Sequence, residues 1–144
     1  MNLNKLMILA LPLMIGCIIV GCGGAPSESD LIGKWESDRN ITKQALKDEG
    51  LEGEELEMRL MRFSSRSMTF EFKEDGTLVE RAYTANQGPK NFLGEMLVEW
   101  KLDGSTLKTL LEGKEEWDQS EISLSGDELV IIDGEESIGL KRVK

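Results

Sequence analysis

Residues 68–77 read Met68-Thr69-Phe70-Glu71-Phe72-Lys73-Glu74-Asp75-Gly76-Thr77. Apolar and polar side chains alternate there, and the run ends in an Asp-Gly turn signal. A period of two is the mark of a strand with one dry and one wet face, and Asp-Gly bends such a strand into a hairpin. The pattern returns downstream, where Met96, Val98, Trp100 and Leu102 alternate with Leu97, Glu99 and Lys101. Further turn signals stand at 86–89, 103–104, 113–114, 126–127 and 133–134. They divide the chain beyond Ser67 into seven candidate strands, and the segment Leu31 to Ser37 supplies an eighth. Joins this short make neighbouring strands antiparallel, and an eight-stranded meander hides its edges by closing on itself. The expected fold is mainly β, a small eight-stranded antiparallel up-and-down barrel. An open, strongly curved sheet is the alternative.

Residues 38–65 change period and are expected to form a helical insertion after the first strand. Asp38 or Asn40 can cap a short helix with Ile41, Ala45 and Leu46 on one side, and Gly50 suits its C-terminal end. A second helix from about Glu54 to Ser64 aligns Leu56, Leu60 and Phe63, and Glu55 can pair with Arg59. These three apolar residues either lid one mouth of the barrel, as candidate ligand contacts, or cover a face of the sheet.

Upstream of the domain, Lys5 precedes an apolar run from Leu6 to Val20 that is too short to span a bilayer. It ends in Ile19-Val20-Gly21-Cys22, which resembles the lipobox of bacterial lipoproteins. A charged start, a short apolar core and a small residue at the cut make a secretory signal. The resemblance implies that residues 1–21 are a removed signal peptide and that Cys22 carries lipid. Two or more acyl chains, at about 0.8 kcal/mol per buried methylene, hold a protein to a membrane. Residues 22–30 then form a flexible tether, and residues 31–144 the domain. With Cys17 discarded and Cys22 alkylated, neither a disulfide nor a free thiol supports the mature protein. Gly23 at the second mature position, where Asp favours inner-membrane retention, implies an outer-membrane address if the host is Gram-negative.

The chain carries 17 basic and 27 acidic residues and no histidine. Nucleic acid is excluded as a partner by this balance. Without histidine or free cysteine there is no ordinary nucleophilic triad and no usual zinc site. Ser105-Thr106-Leu107-Lys108 matches Ser-x-x-Lys only formally, since it enters a strand, and the Asp-Gly pairs are turns rather than calcium loops. We therefore expect no catalytic residue, metal or cofactor. Residues 112–136 hold ten acids and one base, a solvated face expected to point away from anionic lipid. Trp117 lies inside this stretch and is either a partner-binding anchor or turned inward by a bulge.

The residues named so far, with Gly33-x-Trp35 in the first strand and Arg142 in the last, resemble lipocalins and the wider calycin group. The pattern is similar to that of bacterial lipoproteins with a lipocalin-like domain, through Phe70 to Thr77 and the terminal Lys141-Arg142-Val143. The resemblance implies that Trp35 packs across a closed end with Arg142 over it, a cation–π contact of about 0.5 to 2 kcal/mol. It also implies a membrane-anchored, monomeric, non-enzymatic binding domain for a small apolar ligand or a basic protein partner. Strands of about six residues with large inward candidates (Met68, Phe70, Phe72, Met96, Trp100) favour a mostly filled barrel over an open cavity. A filled barrel with no small-molecule site leaves a structural or interaction role in the envelope.

Overall fold

The computed structural model describes residues 24–85 and 91–144. The leader 1–21, the Cys22 anchor and the turn at 86–89 lie outside the described residues. A single turn of helix, α1 (Glu28–Leu31), leads into β1 (Gly33–Ser37). Two helices follow, α2 (Arg39–Asp48) and α3 (Gly53–Ser64). Seven strands complete the chain: β2 (Arg66–Phe72), β3 (Thr77–Thr84), β4 (Phe92–Asp103), β5 (Thr106–Leu111), β6 (Asp118–Ser125), β7 (Glu128–Asp133) and β8 (Glu136–Arg142). The eight strands form a closed barrel in sequence order, every neighbour antiparallel, with β1 against β8 through Trp35 and Arg142. The barrel and the helical insertion thus stand as the alternation and the change of period predict.

One expectation needs correction. A tether was expected to run to residue 30, but Glu28–Leu31 form a helical turn, led by Ser27, whose backbone N–H and hydroxyl donate to the Asp30 carboxylate at 2.9 and 2.6 Å. That cap starts α1 and delivers Leu31 into the barrel, fully buried. The Asp30 hydrogen bonds from Ser27 hold its carboxyl below the ordinary carboxylate range.

Alternation divides the barrel wall, except on β3, where outward Val79 is buried as well. Trp35, Phe70, Phe72, Leu78, Val98 and Trp100 point inward with Leu107, Ile122, Leu129, Ile131 and Leu140 to form the main core. Phe72 meets Trp100 edge to face at 5.0 Å, the geometry aromatic quadrupoles favour. A second small core, Leu46, Leu56 and Leu60, joins α2 to α3 outside the barrel. Closure and both cores are complete within residues 31–142.

Asp38 caps α2 by accepting from the N–H groups of Asn40 and Ile41 at 2.8 and 3.1 Å. The helix then lies across β8 at Gly139, where backbone meets backbone. The Gly139 N–H donates to Thr42 Oγ1 at 2.9 Å, and the Asp38 N–H donates to the Gly139 carbonyl at 2.8 Å. Both Thr42 and Ser137 on this seam are buried. Arg59 does not form the expected pair with Glu55; it reaches out of α3 to Glu135 at 3.4 Å and so ties the helix to the β7–β8 turn.

Candidate functional site

The two ends of the barrel differ. At the end where α1 enters, Trp35 is fully buried and its Nε1–H donates to the Leu31 carbonyl at 2.8 Å. The Arg142 guanidinium lies 4.1 Å from the centroid of the Trp35 ring. It donates to the Ile32 carbonyl at 2.9 Å and to that of Asp30, with Asp127 beyond it at 3.7 Å. Apolar ring, cation and backbone carbonyls thus close this end.

The other end is hollow. A cavity of about 660 Å³ runs into the barrel, within the range of small-molecule sites, roughly 300 to 1,000 Å³. Met68, Phe70, Leu78, Leu107, Ile131 and Ile138 make its apolar wall, and Phe63 of α3 reaches in from above. Its polar lining comprises Thr109, Gln119, Ser120 and four acids, Glu80, Asp118, Asp133 and Glu136. Large side chains thus fill most of the barrel as expected, with Phe70, Leu78, Leu107 and Ile131 in the buried core, and the cavity is confined to this mouth. The strands at this end also differ in length. β4 runs from Phe92 to Asp103, but β5 pairs with it only from Val98 onward. Residues 92–97 stand above the last β5 pair, and Met96, inward by parity, is left exposed rather than filling the barrel.

A groove of about 520 Å³ adjoins this mouth, between α3 and the starts of β2 and β8. Arg39, Arg62 and Arg66 line it, and it shares Phe63, Met68, Glu136 and Ile138 with the cavity.

A family model for the lipocalin-like domain matches residues 31–131. The chain belongs to that family. Two solved structures similar to this lipocalin-like chain are both remote. A fatty-acid-binding protein from Echinococcus granulosus shares 11% identity over 79% of this chain and 98% of its own, with a TM-score of 0.36. A secretary abundant heat soluble protein from Ramazzottius varieornatus shares 18% identity over 84% of this chain and 100% of its own, with a TM-score of 0.38. No curated protein matches the chain.

Within the lipocalin-like barrel, the residues singled out by sequence separate into groups. Gly33, Trp35 and Arg142 come together at the closed end; Gly33 has a φ of 124° and the Arg142 guanidinium lies over it, so a Cβ there would meet Nη1 at 3.2 Å. Of the three α3 residues, only Phe63 lines the cavity. Leu56 turns away into the α2–α3 core, and Leu60, fully buried in that core, borders only the adjoining groove. The three were grouped by helical spacing, but the barrel's rim meets only the last turn of α3.

Trp117 is half-buried, under Lys101 Nζ at 3.9 Å from its centroid, and it borders the cavity. Glu80 was missed. It is inward and half-buried, between Phe70 on β2 and Met96 on β4. Burial pushes its carboxyl above the ordinary range. The signal was weak because Leu78-Val79-Glu80-Arg81 pairs two apolar with two charged residues and leaves the parity of β3 undecided.

Proposed function

We propose that this is a lipid-anchored, non-enzymatic binding protein whose barrel cavity takes a small apolar ligand. The observation that carries the reading is the cavity of about 660 Å³, open at one end, with an apolar floor of Met68, Phe70, Leu78 and Ile131 and a polar, acidic rim. A void of this size on the inside of a closed sheet survives only where the strands' own side chains leave room.

The lipobox-like 19–22 and the direction of the barrel support the anchor. The chain enters at the closed end, so a tether from Cys22 to Ser27 sets that end nearest the lipid and the mouth farthest from it. Asp127, in the β6–β7 turn at the closed end, is held by Lys144 at 2.8 Å and by Arg142. Those pairings keep its carboxyl below the ordinary range. Glu115, Glu116 and Glu135, in the β5–β6 and β7–β8 connections, and Asp133 and Glu136, at the adjoining strand ends, lie at the mouth end, where repulsion by anionic headgroups is least.

Two measurements test this. The full chain expressed in its host should partition with membranes, and Cys22→Ala should release it; a wild-type protein recovered free of lipid refutes the anchor. Mass spectrometry of the purified protein should find a co-purifying apolar molecule released on denaturation. A protein that neither retains nor takes up any small amphiphile refutes the binding role and leaves a structural envelope function.

A further inference from the structure

We propose that the ligand of this cavity is a cationic amphiphile, a protonated amine on an apolar body, with its ammonium group set against Glu80. The inference rests on the binding reading above and names the chemical class of the ligand. Among the described residues Glu80 has no hydrogen-bond or ion-pair partner. It stands on the inner wall, the first inward residue of β3 beyond the point where β4 parts from β5. A carboxylate held in an apolar wall without a partner loses hydration and gains nothing in return. An ammonium group brought by a ligand supplies both the counter-charge and the donors that Glu80 lacks.

The rest of the lining has the same sign. Asp118, Asp133 and Glu136 border the cavity with Glu80, and no lysine or arginine does so among the described residues. The guanidinium groups at this end, Arg39, Arg62 and Arg66, line the adjoining groove instead. Desolvation is the cause of the Glu80 shift, with no opposing effect from a cation. A carboxylate headgroup entering here would meet like charge, from half-buried Glu80, where screening is weakest, and from exposed Asp118, Asp133 and Glu136 at the rim. Nor do the acids form a metal site: among the described residues no three converge closely enough to hold an ion. The acids share the lining with apolar Met68, Phe70, Leu78 and Ile138 as well as polar Thr109, Gln119 and Ser120, which suits a charged head followed by a hydrocarbon body. A net charge of −10 further draws cations toward the mouth.

Three probes of equal length separate the possibilities: decylamine, 1-decanol and decanoate. Each is titrated, below its aggregation limit, into the non-acylated chain from residue 23, which contains the whole barrel and both cores. Tryptophan fluorescence and calorimetry read affinity at neutral pH, and the Met68 and Ile138 methyl resonances locate the probe. Decylamine should bind at least about tenfold tighter than decanol, and decanoate most weakly, since a tenfold difference needs only about 1.4 kcal/mol. Glu80→Gln should bring decylamine to within a few-fold of decanol.

Decanoate binding as tightly as decylamine overturns the cationic assignment while keeping the cavity as a binding site. So does a preference for the amine that survives Glu80→Gln, or an amine that shifts surface resonances rather than those of Met68 and Ile138. If none of the three enters the barrel, the binding role fails and this assignment fails with it.

Discussion

Gly139→Ala tests how the insertion is held to the barrel. A Cβ on Gly139 would lie 2.5 Å from the carbonyl carbon of Ile41 and 2.6 Å from its Cγ2, and closer still to the Thr42 nitrogen. Ordinary contacts of this kind are about 3.5 to 4 Å, so α2 must withdraw by about an ångström along its backbone. Two hydrogen bonds bridge the same seam, Gly139 N–H to Thr42 Oγ1 and Asp38 N–H to the Gly139 carbonyl. Overpacking costs about 1 to 3 kcal/mol, and stretching two such bonds adds about 0.5 to 1.5 kcal/mol each. A loss of roughly 3 kcal/mol follows, or about 10 °C in Tm for a domain of this size. Thermal unfolding followed by circular dichroism reads it directly. Gly94→Ala is the control, because a Cβ there meets nothing within 4 Å, and it should stay within about 0.5 kcal/mol of wild type. A Gly139→Ala protein as stable as Gly94→Ala would refute the backbone contact between α2 and β8.

Arg142→Ala removes a cation from the Trp35 ring and two donors from the carbonyls of Ile32 and Asp30. Chemical denaturation should show a loss of about 2 to 3 kcal/mol, which Arg142→Lys should restore only in part; a neutral effect contradicts the clasp. Glu80→Gln should act in the opposite direction. With its carboxyl raised by burial, folded Glu80 keeps a proton at pH values where the unfolded chain has released it. Its unfavourable contribution is therefore absent below the ordinary carboxylate range and complete above the folded pKa. Glu80→Gln should raise Tm at about pH 7 and leave it unchanged at about pH 3; an equal gain at both pH values would show that ionisation is not the cause.

The sheet was legible because alternation, turn spacing and antiparallel neighbours all state the same architecture. Trp35 and Arg142 were singled out only through the resemblance to lipocalins, and the β1–β8 register brings them together in the closed barrel. The cavity was not, since strand parity identifies which side chains point inward but not whether their partners reach across. Met96 has inward parity yet stands beyond the end of β5, exposed. Glu80 was hidden by the double alternation of β3, where outward Val79 is as buried as inward Leu78. The short helix α1 arises from a Ser27–Asp30 cap in a segment whose composition reads as linker. Gly139 carried a usable signal, for a glycine inside a strand often marks close approach of another backbone.

The most direct test of the hollow, ligand-binding barrel is a methyl-resonance map of the protein titrated with 1-decanol, a probe that carries no charge. The resonances of Met68, Ile131 and Ile138 at the cavity should move in a saturable manner, while those of Leu129 and Leu140, buried in the packed core, stay in place. Saturation without movement at the cavity, or shifts confined to exposed Met58 and Met61 on α3, would contradict the account.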